Sequence, residues 1–174
     1  EGTDLEGALE TAEQIAEQWR TEVQKQQSIV TERKILLAAG AAAVRGFQRG
    51  GVAGTAKHFP GLGSTATDTH LALPMLDTTV EQLMRQDMQP FRAAIDAGIA
   101  SVMTTHTIYS ALDSKLPATL SPVIIQKLLR GELGFDGVIS SDCMEMKAIA
   151  DHYGSGEAGV RLKDRFGGRS LRCR

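Results

Sequence analysis

The sequence predicts an α/β fold with a parallel sheet, and three short apolar runs carry that reading. They are residues 51–59 (GVAGTAKHF), 99–106 (IASVMTTH) and 137–142 (GVISSD), with helix-like stretches between them. Strands that alternate with helices form parallel sheets joined by helical crossovers. Each run is apolar through its body and polar at its C-terminal end, at Lys57 and His58, at His106 and at Asp142. In parallel α/β folds that edge of the sheet is where ligands bind and chemistry happens. Three strands delivering reactive groups to one edge are the first functional signal.

The elements follow in order. Residues 4–27 carry Leu5, Leu9, Ala12, Ile15 or Ala16, Trp19 and Val23 at three- and four-residue steps, the pattern of an amphipathic helix. Thr3 or Asp4 is suited to cap its start. A second helix is expected over residues 31–48, ended by the Gly50-Gly51 pair. Both read as packing or partner-binding helices without chemistry of their own. Residues 80–97 place Val80, Leu83, Met84, Met88, Phe91 and Ile95 on one side of a helix that Pro90 should kink or split. Ser121 followed by Pro122 is a helix start, and that helix carries Val123, Ile124, Leu128 and Leu129 before Gly134 ends it. A last helix begins in residues 147–153.

With 174 residues, 42% of them hydrophobic, the chain is long enough for one domain with a core. Its 19 basic and 21 acidic residues give a net charge of -2, which provides no general pull toward nucleic acid or an anionic membrane. The acidic start (Glu1, Asp4, Glu6, Glu10, Glu13, Glu17, Glu22) and the basic end (Arg161, Lys163, Arg165, Arg169, Arg172, Arg174) read as solvated segments. Cys143 and Cys173 form no CxxC pair, which argues against a disulfide framework or zinc knuckle and for a reducing compartment. No apolar run approaches the about 20 residues of a membrane span. No signal peptide is visible, so a cytoplasmic location is expected.

The candidate constellation is Lys57, His58, Asp68, His70, His106 and Asp142. His106 alone reads most simply as a hydrogen-bonded strand-end histidine, and Asp142 as either a reactive carboxylate or the cap of the next helix. Asp68-Thr69-His70 differs in kind. A carboxylate two residues before a histidine can fold back, accept one ring N–H and fix the tautomer, leaving the other nitrogen for acid–base work. The surrounding loop, with Pro60, Gly61, Gly63 and several threonines, is of a kind that closes over ligands. A metal site is the competing chemistry. The absence of His-x-His and His-x-x-x-His spacing, and Lys57 beside the cluster, argue against it. No metal and no cofactor is expected.

Three segments, KHFPGLG…DTHLALP, PFRAAIDAGIASVMTTHTIYSALDSKLPATLSP and LLRGELGFDGVISSDCMEMKAIADHYG, resemble the N-terminal barrel domain of glycoside hydrolase family 3. The similarity is strongest to the β-N-acetylhexosaminidase (β-N-acetylglucosaminidase) branch and spans residues 41–158. It implies a (β/α)8 TIM-type barrel and a retaining hydrolase with a covalent glycosyl-enzyme intermediate. It implies that Asp142, after Ser141, is the nucleophile, that His70 with Asp68 is the acid/base, and that Lys57 and His58 contact sugar hydroxyls. The implied partner is a glycan ending in β-N-acetylglucosamine, such as a peptidoglycan or chitin fragment, which points to carbohydrate metabolism or cell wall recycling.

Several positions depart from the pattern. The family often has His and Asp where this chain has Leu62 and Ser64, and Asp where it has Cys143. Its early Asp-Gln-Glu-Gly-Gly and Arg-Ser-Phe-Gly stretches do not occur here. The expected organisation is a helical segment (1–45) unlike the family, a partial barrel domain (46–158) and a basic tail (159–174). A whole barrel takes about 200 residues or more, so the chain reads as about the second half of one, truncated or frame-disrupted. Such a half exposes open sheet edges and so favours self-association. Two other readings fit the same residues: a catalytically incomplete barrel fragment, and a metal-dependent barrel hydrolase.

Overall fold

The structure, a computed structural model, describes residues 2–166 and 170–171. The side chains of Leu5, Leu9, Arg161, Lys163 and Arg165, and residues Arg169, Arg172, Cys173 and Arg174, lie outside the described residues. The chain divides into two compact units, Glu1–Ala39 and Gly40–Arg174.

The first unit is helical. Helix α1 runs Gly2–Arg49 without interruption, where the sequence predicted two helices. No glycine or proline lies in residues 8–39, so nothing breaks the backbone ladder between the two predicted segments. Thr3 and Asp4 fall inside the helix rather than at its cap. Ile15, Trp19 and Val23, expected on a packing face, are exposed.

The second unit holds the sheet and the core. Strands β1 (Thr55–Phe59), β3 (Ser101–Thr104), β5 (Val138–Ser141) and β6 (Ser170–Leu171) form a four-stranded sheet in that order, every pairing parallel. A second, two-stranded parallel sheet joins β2 (Met75–Leu76) to β4 (Ile108–Tyr109). The three predicted strands are therefore present and parallel, each a few residues shorter than its apolar run. Val102 and Ile139 face each other across β3 and β5 and are fully buried.

The crossovers supply the helices. Helix α2 (Val80–Arg85) begins with a capping box between Thr79 and Gln82. Helix α3 (Gln89–Asp96) restarts at Pro90. A proline has no N–H to give and its ring clashes with the carbonyl four residues back, so the predicted helix splits in two. Phe91 of α3 packs edge-on against Phe59 of β1, ring centroids 5.2 Å apart.

After β3 and β4 come a 3-10 turn (Ala118–Leu120) and a π-helix (Val123–Glu132). The sequence predicted an α-helix here. Periodicity does not separate the two windings, because residues i, i+1, i+4 and i+5 share a face in both; those positions, Ile124, Ile125, Leu128 and Leu129, are buried. The Ser121 hydroxyl accepts the Ile124 N–H at 3.2 Å, as a capping side chain should. Gly134, just past the end, takes φ +65. Helices α4 (Lys147–Tyr153) and α5 (Ser155–Phe166) complete the core with Ile149, Ala158, Leu162 and Phe166.

Candidate active site

The C-terminal edge of the parallel sheet gathers the reactive side chains. β1 carries Lys57 and His58 just before its last residue, Phe59, and Asp142 follows β5 directly. The Lys57–His58 and Phe59–Pro60 peptide bonds are cis. His58 Nε2 stands 3.3 Å from Asp142 Oδ2, both side chains mostly covered. Burial holds the His58 imidazole below its ordinary value of 6.5. Asp142 pulls the other way, while Lys57 and His70 add to the lowering. Burial wins, so near neutral pH the imidazole is neutral and this contact is a close polar approach rather than an ion pair. It also places His70 within electrostatic reach of His58.

Asp142 does not cap the following helix, whose N-cap is Met146. Its Oδ1 instead accepts the N–H of Cys143 at 2.7 Å, and its own N–H reaches Thr104 O at 3.3 Å across the ladder. One carboxylate oxygen is thus held by backbone and the other faces His58.

The Asp68–His70 dyad has the geometry its spacing predicts. Asp68 Oδ1 accepts the His70 backbone N–H at 2.8 Å and lies 2.9 Å from His70 Nδ1. The backbone N–H first, and then the ring, hold the Asp68 carboxyl below its ordinary value. It therefore stays ionised and keeps the proton on Nδ1. Both side chains are exposed, but their loop is tied at several points. Tyr109, 1% exposed, donates its hydroxyl hydrogen to Gly61 O at 2.5 Å. Buried Thr69 offers its carbonyl to the Ala148 N–H at 3.4 Å, and the β2–β4 ladder closes the loop. Gly61 itself sits at φ +139, where a Cβ would meet the Asp87 Cβ at 2.5 Å.

His106 lies wholly inside. Its Nε2 is 2.9 Å from Cys143 O and its Nδ1 is 2.9 Å from Thr119 Oγ1. Lys57 is exposed and lines a cavity of about 450 Å3 beside β1 together with His58, Gly61, Leu62, Gln86 and Asp87. Leu62, one of the departures noted in the loop, therefore opens onto space beside His58. Among the described residues no group of three or more His, Cys, Asp or Glu is placed to hold a metal ion. Sequence reasoning missed Tyr109 and Thr119, whose contacts span long sequence separations and carry no local signal.

A parallel α/β domain thus carries an Asp–His dyad on a tethered loop and a second carboxylate at the strand edge, groups of the kind used in acid–base and nucleophilic chemistry. Residues 14–162 match the model of the "Glycosyl hydrolase family 3 N terminal domain", and the chain belongs to that family. It is 45% identical over 104 residues to a "Beta-hexosaminidase" of Methylobacillus flagellatus, covering 60% of this chain and 30% of that relative. A solved family 3 β-N-acetylglucosaminidase from Paenibacillus sp. is similar with a TM-score of 0.76 and 47% identity, over 81% of this chain and 27% of that one. The structure of NagZ from Neisseria gonorrhoeae in complex with N-trifluoroacetyl-D-glucosamine is similar with a TM-score of 0.59 and 34% identity, over 69% and 34% of the two chains. The chain thus spans about 30% of the length of the curated relatives it matches.

Proposed function

We propose that the protein supplies the catalytic edge of a retaining glycoside hydrolase that releases terminal β-N-acetylglucosamine. The observation that supports this best is one sheet edge carrying the Asp68–His70 dyad at 2.9 Å and the His58–Asp142 contact at 3.3 Å. The names of the relatives, β-hexosaminidase and β-N-acetylglucosaminidase, point the same way.

In this reading Asp142 attacks the anomeric carbon as His70 gives its Nε2 proton to the departing oxygen, so one C–O bond forms and one breaks. Asp68 keeps the other ring proton on Nδ1 throughout, so His70 ends the step as the neutral Nδ1–H tautomer. A water then attacks the glycosyl-Asp142 ester, His70 Nε2 takes the water's proton, and the carboxylate is restored. His58 and Lys57 hold sugar hydroxyls. The sheet itself is an arc of a (β/α)8 barrel. Its unbroken run of parallel strands supports this, as does the half-burial of Met103 and Val138, which alternate with the fully buried Val102 and Ile139. Open edges of such an arc suit association with a second copy.

The test is release of nitrophenol from 4-nitrophenyl N-acetyl-β-D-glucosaminide. Asp142→Ala is expected to fall to background, and His70→Ala by about 10²- to 10⁴-fold. Chelator should leave the rate unchanged. No release by the unmutated chain supports the incomplete-fragment reading instead.

A further inference from the structure

We propose that His106 is a positioning residue that fixes the direction of the Asp142 carboxylate through the backbone of Cys143, leaving Oδ2 as the attacking oxygen. The inference rests on the reading of Asp142 as nucleophile. The contacts lie in sequence on one short path. The Cys143 N–H holds Asp142 Oδ1 at 2.7 Å, and the carbonyl of the same residue is held at 2.9 Å by His106 Nε2. Cys143 is thus clamped at both ends of its backbone, by the carboxylate it orients and by a fully buried imidazole.

The tautomer follows from the partners. A carbonyl oxygen only accepts, so His106 Nε2 carries the hydrogen and donates it to Cys143 O. Burial disfavours a second ring proton, and the imidazole is held below its ordinary value of 6.5. Thr119 Oγ1 lies 2.9 Å from Nδ1, while its hydroxyl donates to Thr105 O, also at 2.9 Å. The Thr119 oxygen in turn accepts from Thr104 Oγ1 at 3.0 Å. All these hydroxyls are buried. The imidazole thus sits among the buried Thr104, Thr105 and Thr119 and donates outward to the turn that carries the carboxylate.

Two polar substitutions separate positioning from filling. Glutamine places an amide N–H near the position of Nε2 and can still reach Cys143 O; asparagine reaches only as far as Nδ1 and loses that bond. His106→Gln is expected to keep kcat within about fivefold, and His106→Asn to lose about 10- to 100-fold in kcat with KM little changed, the cost of misaiming a reacting group. Equal losses in both variants, or none in His106→Asn, overturn the proposal.

A second readout does not depend on activity. Site-resolved alkylation of Cys143 by iodoacetamide should rise about tenfold in His106→Asn through loosening of the turn, and stay near the unmutated rate in His106→Gln. If the unmutated chain proves inactive, the functional reading fails but this measurement still decides the clamp. Equal alkylation of unmutated chain and His106→Asn refutes it.

Discussion

Replacing Tyr109 with phenylalanine isolates one tie of the dyad loop. The ring keeps its volume and only the hydroxyl goes, so the cavity cost is small. What is lost is the bond to Gly61 O, made at 2.5 Å between a Tyr109 that is 1% exposed and a buried Gly61. A buried carbonyl deprived of its partner costs about 1–3 kcal/mol. Urea unfolding of the full chain near neutral pH should show a loss of that size. A second signature lies at alkaline pH. Burial first, and then the charge of Asp87, hold the Tyr109 hydroxyl well above its ordinary value of 10.0. Between that value and the higher folded one the native state keeps a proton that the unfolded chain has released. The unfolded state then binds fewer protons, and stability falls as pH rises through 10.0. Phenylalanine removes this term, so the gap between the two proteins should narrow above that pH. A difference below about 0.5 kcal/mol, typical of an exposed surface change, or a gap constant with pH, refutes the assignment of the tie.

Two further outcomes follow from the same core. Gly61→Ala forces a Cβ to 2.5 Å from the Asp87 Cβ at φ +139, and should cost about 1–3 kcal/mol; calorimetry showing an unchanged melting temperature contradicts it. His58 and His106 are both held below 6.5, chiefly by burial, with Asp142 opposing the shift at each. The unfolded chain therefore binds more protons once pH drops below 6.5. The melting temperature should fall from that pH downward until the folded imidazoles themselves charge. His106→Gln should flatten that slope, and equal slopes with and without it count against the burial argument.

How much of this was legible in the sequence depends on range. The strands were legible because each apolar run ends abruptly in charge or imidazole, and a parallel sheet turns that pattern into a common edge. The dyad was legible because two residues of separation suffice for Asp68 to reach both the N–H and the ring of His70. The continuity of α1 was misread: one helix was expected to end at residue 27 and another to begin at 31, but without a glycine or proline there the helical ladder simply continues. Winding was hidden too, since the burial pattern of Val123–Glu132 suits an α- and a π-helix equally. The partners of Tyr109 and His106 were out of reach. Gly61 lies 48 residues from Tyr109, and Thr119 and Cys143 lie 13 and 37 residues from His106. Only tertiary packing selects such pairs.

The two reactive groups are held in different ways, and the proposed reaction asks for that difference. Asp142 is largely covered, with one oxygen fixed by the Cys143 N–H and its main chain laddered to Thr104. A nucleophile that attacks one carbon along one line gains from such fixed aim. His70 is exposed on a loop anchored by Tyr109, by the carbonyl of Thr69 and by β2, while among the described residues its ring is held by Asp68 alone. An acid that serves a departing sugar oxygen in one step and a water in the next must meet two oxygens in slightly different places. Holding the loop by its backbone while leaving the imidazole exposed allows that adjustment, and Asp68 travels with the ring because it is two residues away. The tautomer is therefore conserved through any small movement of the loop, whereas a partner on the sheet would lose its grip.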